Sequence, residues 1–314
     1  MSVVSRVVVA LALVVSGALG GGVAGAVPGN SPDLVPGLPV YLALGDSIAN
    51  GQQSAVVVPD DYWATVAGWQ ANGYVAQFSE DLKTTLNCLP GKGKRTRPGC
   101  RQLQLMNMAR SAIEAEGDSP RKPGVTTQLH IEEQLPAATA LLERRNGDKN
   151  RRNDVQVVTV TVGGNDAFGT IMGACLVPDP SGCLAAIGSV FSTFGANYAY
   201  ILSELRAAAG PTTRIVTMTY YNPVPYCLIG QTNEAAGPFV EWVLEGGPMP
   251  GTGIPLEDGY NDLIRMISAQ FGATPAETFG MLGEGDFVGG ADCLHPNLSG
   301  HTKIAAAFHE AFVG

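Results

Sequence analysis

The run Val40-Tyr41-Leu42-Ala43-Leu44-Gly45 is apolar on both of its faces and stops abruptly at Asp46-Ser47. A run without alternation suits a strand covered on both sides, as in the interior of a parallel sheet. Gly45 lets the backbone turn sharply where the strand stops. Ligands of open α/β sheets bind just outside the carboxyl ends of such strands, which makes Ser47 a candidate functional residue. Gly, Asp and Ser also favour ordinary turns, so the tripeptide carries chemistry only if a base and an oxyanion site accompany it.

The remaining chain alternates in kind. A helix with Val75, Phe78 and Leu82 on one face is predicted over Tyr74 to Leu86, after an irregular segment holding Tyr62, Trp63 and Trp69. A short strand, Leu103 to Met108, runs into Asn107-Met108-Ala109-Arg110-Ser111-Ala112. A helix from Leu129 to Arg144 contains Pro136, which predicts a kink or a boundary there. The strongest strand, Asp154 to Val162, leads directly into Gly163-Gly164-Asn165-Asp166. Further helices are expected near Phe191 to Ala209 and Glu257 to Phe271, with a strand at Arg214 to Tyr220 between them. Asp292-Cys293-Leu294-His295-Pro296 then enters a closing helix with Ser299 as its cap and Ile304, Ala305, Phe308 and Phe312 as its buried stripe. His130, His301 and His309 are read as surface residues. Strands alternating with helices imply an α/β fold, doubly wound, with a mainly parallel sheet flanked by helices on both faces.

Composition narrows the partners. Residues 1–26 carry Arg6 as their only charge, then an apolar run from Val7 to Val15 and small residues ending in Ala24-Gly25-Ala26. That pattern predicts a secretory signal peptide over 1–26, because its strongly apolar part is shorter than the ~20 residues a membrane span needs. The expected mature chain, 27–314, is read as one domain, with no linker or repeat dividing it. Without Arg6 its formal charge of −9 becomes −10, which gives counterion release nothing to work with and excludes nucleic acid as a partner. Six cysteines in an exported chain favour three disulfides over zinc sites. Cys88 with Cys100 and Cys175 with Cys183 are close in sequence and bracket polar loops, which leaves Cys227 with Cys293. The basic loop Leu89 to Pro98 is read as a solvated surface.

The blocks Gly45-Asp46-Ser47, Gly163-Gly164-Asn165-Asp166 and Asp292-x-x-His295, in this order and at strand ends, resemble those of the SGNH hydrolases, also called GDSL esterases and lipases. The resemblance runs from about Val40 to the C terminus. It implies Ser47 as nucleophile, His295 as the base that takes its proton and Asp292 as the carboxylate that orients the imidazole. It also implies an oxyanion hole of the Asn165 side chain, the Ser47 backbone N–H and a third backbone N–H. In the family that third donor is usually a glycine; alignment on Asn107-Met108-Ala109 puts Ala112 there, with Ser111 as the alternative. A backbone donor survives the exchange of Gly for Ala if the local conformation suits a residue with Cβ.

The expectation is therefore a secreted, disulfide-bonded, monomeric esterase or lipase that uses no metal or cofactor and acts on a small-molecule or lipid ester. Tyr62, Trp63, Trp69 and Tyr74 are candidates for an acyl pocket, and with them comes a lean toward fatty-acyl esters. An acyltransferase, a carbohydrate acetylesterase or an exported non-catalytic binding module are the rival readings.

Overall fold

The computed structural model describes residues 34–54, 61, 65–86, 102–111, 126–148, 150–175, 180–290 and 292–314, with the side chains of 126–133 and 180 excepted. The expected signal peptide, Tyr62, Trp63, the Leu89 to Pro98 loop, the Cys88 and Cys100 pair and Ala112 lie outside the described residues.

Five strands form one wholly parallel sheet: β1 Val40–Gly45, β2 Gln104–Asn107, β3 Val155–Thr161, β4 Arg214–Met218 and β5 Ala273–Ala276. Their order across the sheet is β2-β1-β3-β4-β5, the flavodoxin-like arrangement. All six residues of β1 are buried, as a strand with helices on both faces requires. β5 was not legible in the sequence, because Ala273-Thr274-Pro275-Ala276 has no apolar run and contains a proline. It lies at the sheet edge, where Pro275 need not donate outward.

The helices divide between the faces. After β1 come α1 Ser47–Asn50, α2 Val66–Asn72 and α3 Tyr74–Thr85. The Tyr74 hydroxyl is 2.6 Å from Thr161 Oγ1, and Phe78 meets the Tyr41 ring edge-on at 5.5 Å between centroids, which places α3 on the Tyr41 face. The closing helix α10, Leu298–Val313, shares that face, stacking Phe308 on Tyr74 at 4.6 Å. Between them in sequence run α4 Thr126–Asn146, α5 Gly164–Cys175, α6 Pro180–Ala209, α7 Leu228–Thr232, α8 Ala236–Glu245 and α9 Tyr260–Gln270. Thr217 is level with Val160, hence on the face opposite Thr161, and its hydroxyl meets Ser268 of α9 at 2.9 Å. The chain thus leaves the neighbouring strands β1 and β3 toward opposite faces. Their carboxyl ends open the crevice in which doubly wound folds bind ligands.

Several local expectations are corrected. α4 continues through Pro136, which faces solvent, instead of breaking there. α5 was missed, because its three glycines lower helix propensity and hid its period. Asn297, not Ser299, caps α10, its Oδ1 accepting from the Ser299 and Gly300 N–H groups. Trp69 and Tyr74 are core residues with no exposed surface, which removes them from any acyl pocket. His301 is not a surface residue: it is fully buried, and its Nδ1 accepts the Tyr74 N–H at 3.3 Å.

Burial pushes the His301 imidazole down to about 4. The unfolded chain therefore binds a proton at this residue below about 6.5 that the folded chain refuses until about 4, so this contribution to stability rises with pH across that window. We expect His301→Gln, which keeps an acceptor for Tyr74, to lose that dependence. Its stability deficit against wild type in urea unfolding should shrink by about 2 kcal/mol between pH 7 and pH 4.5.

Candidate active site

Ser47 follows directly on the turn that ends β1. The Asp46 N–H continues the ladder by donating to the Thr161 carbonyl at 3.0 Å, and Asp46 Oδ1 then accepts the Ile48 N–H at 3.0 Å, which caps α1 and starts it at Ser47. Gly45 has φ +145°, and a Cβ there would lie 2.1 Å from the Thr161 carbonyl oxygen, so only glycine lets β1 and β3 stay paired to their ends.

Asp292 and His295 lie not on a loop into a helix but on a strand, β7 Asp292–Pro296, paired antiparallel with β6 Phe287–Gly289. On a regular strand residues three apart face opposite ways. Here Asp292 Oδ1 also accepts the His295 backbone N–H at 3.2 Å, a local turn-type bond that brings the two side chains together. His295 Nδ1 is 2.8 Å from both Asp292 carboxylate oxygens, and His295 Nε2 is 2.8 Å from Ser47 Oγ. Burial raises the Asp292 carboxyl, but the bonds and charge of His295 and the N–H of Leu294 outweigh it and hold it below its ordinary value. An imidazole placed so can accept a hydroxyl proton at one nitrogen while the carboxylate holds the N–H of the other.

The hairpin is tied down at several points. Cys293, between the two polar residues, is bonded to Cys227, and Tyr221 donates its hydroxyl to the Leu294 carbonyl at 3.0 Å. At its base the buried Asp286 accepts from Ser299 Oγ at 2.7 Å and from Lys303 Nζ at 2.5 Å. The second described disulfide, Cys175–Cys183, links the end of α5 to α6.

Asn165 is the second residue of α5, exposed, and four residues beyond Thr161, which pairs with Gly45 in the register. It thus leaves the strand end next to the one that delivers Ser47. Ser111 is fully buried within 3.4 Å of Asn50 Nδ2, against α1. Among the described residues, no group of three or more His, Cys, Asp and Glu could hold a metal ion.

A doubly wound sheet with a Ser–His–Asp array at its switch point defines a class of hydrolase. The sequence matches the model of the GDSL-like lipase/acylhydrolase family over residues 43–303, and the chain belongs to that family. It is an enzyme of the carboxylic ester hydrolase type. Among solved structures it is similar to the lipase Lip_vut3 from a goat rumen metagenome, at 15% identity and a TM-score of 0.52, covering 88% of this chain and 98% of that one. An extracellular lipase from Streptomyces rimosus matches at 16% identity and a TM-score of 0.45, covering 87% and 99%. A carbohydrate esterase described as having divergent catalytic and non-catalytic binding functions matches at 12% and 0.44, covering 88% and 68%. No curated protein matches the chain.

The sequence did not reveal Gln134. From α4 its Oε1 accepts the Gly45 N–H at 2.8 Å and its Nε2 donates to the Gly45 carbonyl at 2.9 Å, a two-point clamp on the turn before Ser47. The available signal was a polar residue in phase with the buried stripe Ala138, Leu141, Leu142 of the same helix. The Gly45 carbonyl has a second donor in the Arg110 N–H at 3.1 Å, so loss of Gln134 orphans chiefly the N–H. Gln134→Leu should destabilise the fold by about 1–3 kcal/mol, the cost of one buried unpaired donor, measured by chemical denaturation.

Proposed function

We propose that this protein hydrolyses carboxylic esters through an acyl-enzyme formed on Ser47. The observation that carries the reading is the unbroken relay from the Ser47 hydroxyl through both nitrogens of His295 to the Asp292 carboxylate, each contact 2.8 Å. Ser47 Oγ attacks the acyl carbonyl as His295 Nε2 takes its proton. Asp292 holds the N–H of Nδ1 and stabilises the imidazolium. The negative oxygen is received by the Asn165 amide and the Ser47 N–H, with the third donor from Ala112 or Ser111. His295 returns the proton to the leaving alcohol, and water, activated by the same imidazole, frees the acid.

Export is part of this reading, supported by the signal-like residues 1–26 and by two described disulfides, which persist in oxidising compartments. No helix among the described residues is long and apolar enough to cross a membrane. For the acyl group we favour an apolar chain. Leu298, three residues past His295, is 45% exposed, and Leu228, next to the cysteine bonded to Cys293, is 69% exposed. A monomer acting on a single ester, with water as acceptor, is the reading adopted. A panel of p-nitrophenyl esters from acetate to palmitate tests it, with preference for acetate favouring a carbohydrate acetylesterase. Product analysis with alcohol or sugar acceptors present separates a transferase, and a fluorophosphonate probe labels Ser47 in an enzyme but not in a binding module.

Ser47→Ala and His295→Ala should each reduce ester hydrolysis to near background while circular dichroism stays unchanged, and the double variant should lose little more, because the two act as a unit. Full activity in either removes the relay. Asn165→Ala should lower kcat by about 10²- to 10³-fold with KM nearly constant. A change confined to KM makes Asn165 a substrate-binding residue instead. Cys227→Ala should lose activity at temperatures where the fold persists, since the freed hairpin no longer holds the imidazole in place.

A further inference from the structure

One polar contact of the nucleophile turn has no part in the proton relay. Asp46 is buried, and beyond its bond to the Ile48 N–H its Oδ2 accepts the Tyr220 hydroxyl at 3.3 Å. Tyr220 follows β4 and is itself buried, with its ring against the other polar turn: a Cβ on Gly164 would lie 2.9 Å from Tyr220 Cε1. One side chain therefore touches both the turn that carries Ser47 and the turn that carries Asn165.

The tyrosine is held more firmly than packing requires. Fully buried Asn261 of α9 accepts the Tyr220 N–H at 2.7 Å and donates back to the Tyr220 carbonyl at 2.9 Å. The same amide nitrogen donates to Glu245 at 2.5 Å, and Arg265 joins Glu245 to Asp262 and Glu277 at 3.0, 2.9 and 2.8 Å respectively. An ordinary core tyrosine needs one partner for its hydroxyl. This one has its backbone fixed on both sides and spends its hydroxyl on the carboxylate next to the nucleophile.

We propose that Tyr220 is a positioning residue that holds the Asp46 turn and the Gly164 turn at a set separation, so that Ser47 and Asn165 converge on the same carbonyl group. The proposal rests on the reading of Ser47 as nucleophile and Asn165 as oxyanion donor. Electrostatics supports it. Burial pushes the Asp46 carboxyl up to about 6, against the opposing pull of the Ile48 N–H, the His295 charge and the Tyr220 hydroxyl. The groups facing Asp46 are His295 from the hairpin, Asp166 from α5, Tyr220 and Tyr221 after β4, Tyr260 from α9 and Tyr74 from α3. Removing the Tyr220 hydroxyl deletes one bond that favours the carboxylate, so Asp46 would hold its proton to higher pH.

The test is kinetic, on the full mature chain with a p-nitrophenyl ester. Tyr220→Phe should lower kcat about tenfold with KM within about twofold. In an Asp46→Ser background, which keeps a cap oxygen for the Ile48 N–H but has no second oxygen for the Tyr220 hydroxyl, the same exchange should cost less than about twofold. Wild-type kcat in Tyr220→Phe, or an equal loss in both backgrounds, overturns the inference. If Tyr220→Phe fails to fold, Asp46→Ser carries the test: it must lower kcat about tenfold at constant KM, and full kcat overturns the inference. Ser47→Ala run alongside separates the two claims. Activity surviving there removes the nucleophile and this inference with it, whereas an inactive Ser47→Ala beside an unaffected Tyr220→Phe removes this inference alone.

Discussion

Everything at the site depends on two parallel strands staying paired to their very ends. β1 and β3 run side by side to Gly45 and Thr161, and the Asp46 N–H adds one more rung by reaching the Thr161 carbonyl at 3.0 Å. That close approach is available only because residue 45 lacks a Cβ. From the last rung the chain departs to opposite faces of the sheet, so Ser47 and Asn165 begin as neighbours and need no long loop to bring them together.

The third part of the site arrives from the far end of the chain, 248 residues after Ser47 in the case of His295. No sheet ladder carries it there. A short hairpin does, and a hairpin of that size has little stability of its own. It is anchored by a disulfide, by Tyr221, and by Asp286 with Ser299 and Lys303 at the start of α10. α10 in turn buries Ile304, Phe308 and Phe312 against the sheet and α3. The hydrophobic burial of one helix therefore sets where the imidazole sits, and the covalent and polar ties remove its remaining freedom.

Buried polar groups do much of the fine placement. Gln134 grips Gly45 from one face, Tyr220, held by Asn261, reaches Asp46 from beyond β4, and His301 holds the start of α3. Gln134, Tyr220 and Asn261 find backbone or carboxylate partners, which is the condition for polar side chains in a core to stiffen it and not weaken it.

The alternation of strands and helices, the sheet class and the three polar blocks could be read from residues alone, since periodicity and turn chemistry are local properties. Ser47 stood out because an apolar run gives way there to polar residues, whereas Asp292 and His295 were singled out by the resemblance of the ordered blocks to a known family. What only the tertiary structure decided were the pieces whose role depends on distant contacts. β5 exists because β4 offers it a ladder, not because Ala273 to Ala276 prefers to be extended. Trp69 and Tyr74 turned out to be core, and His301 buried, because amphipathic side chains take whichever side their helix presents to a neighbour, and that is settled by packing. Gln134 shows locally only as a polar residue in phase with a buried stripe, and Tyr220 and Asn261 belong to no local pattern. Their partners lie 89, 174 and 41 residues away, and a hydrogen bond across such a separation leaves no trace in the sequence until the sheet has brought its ends together.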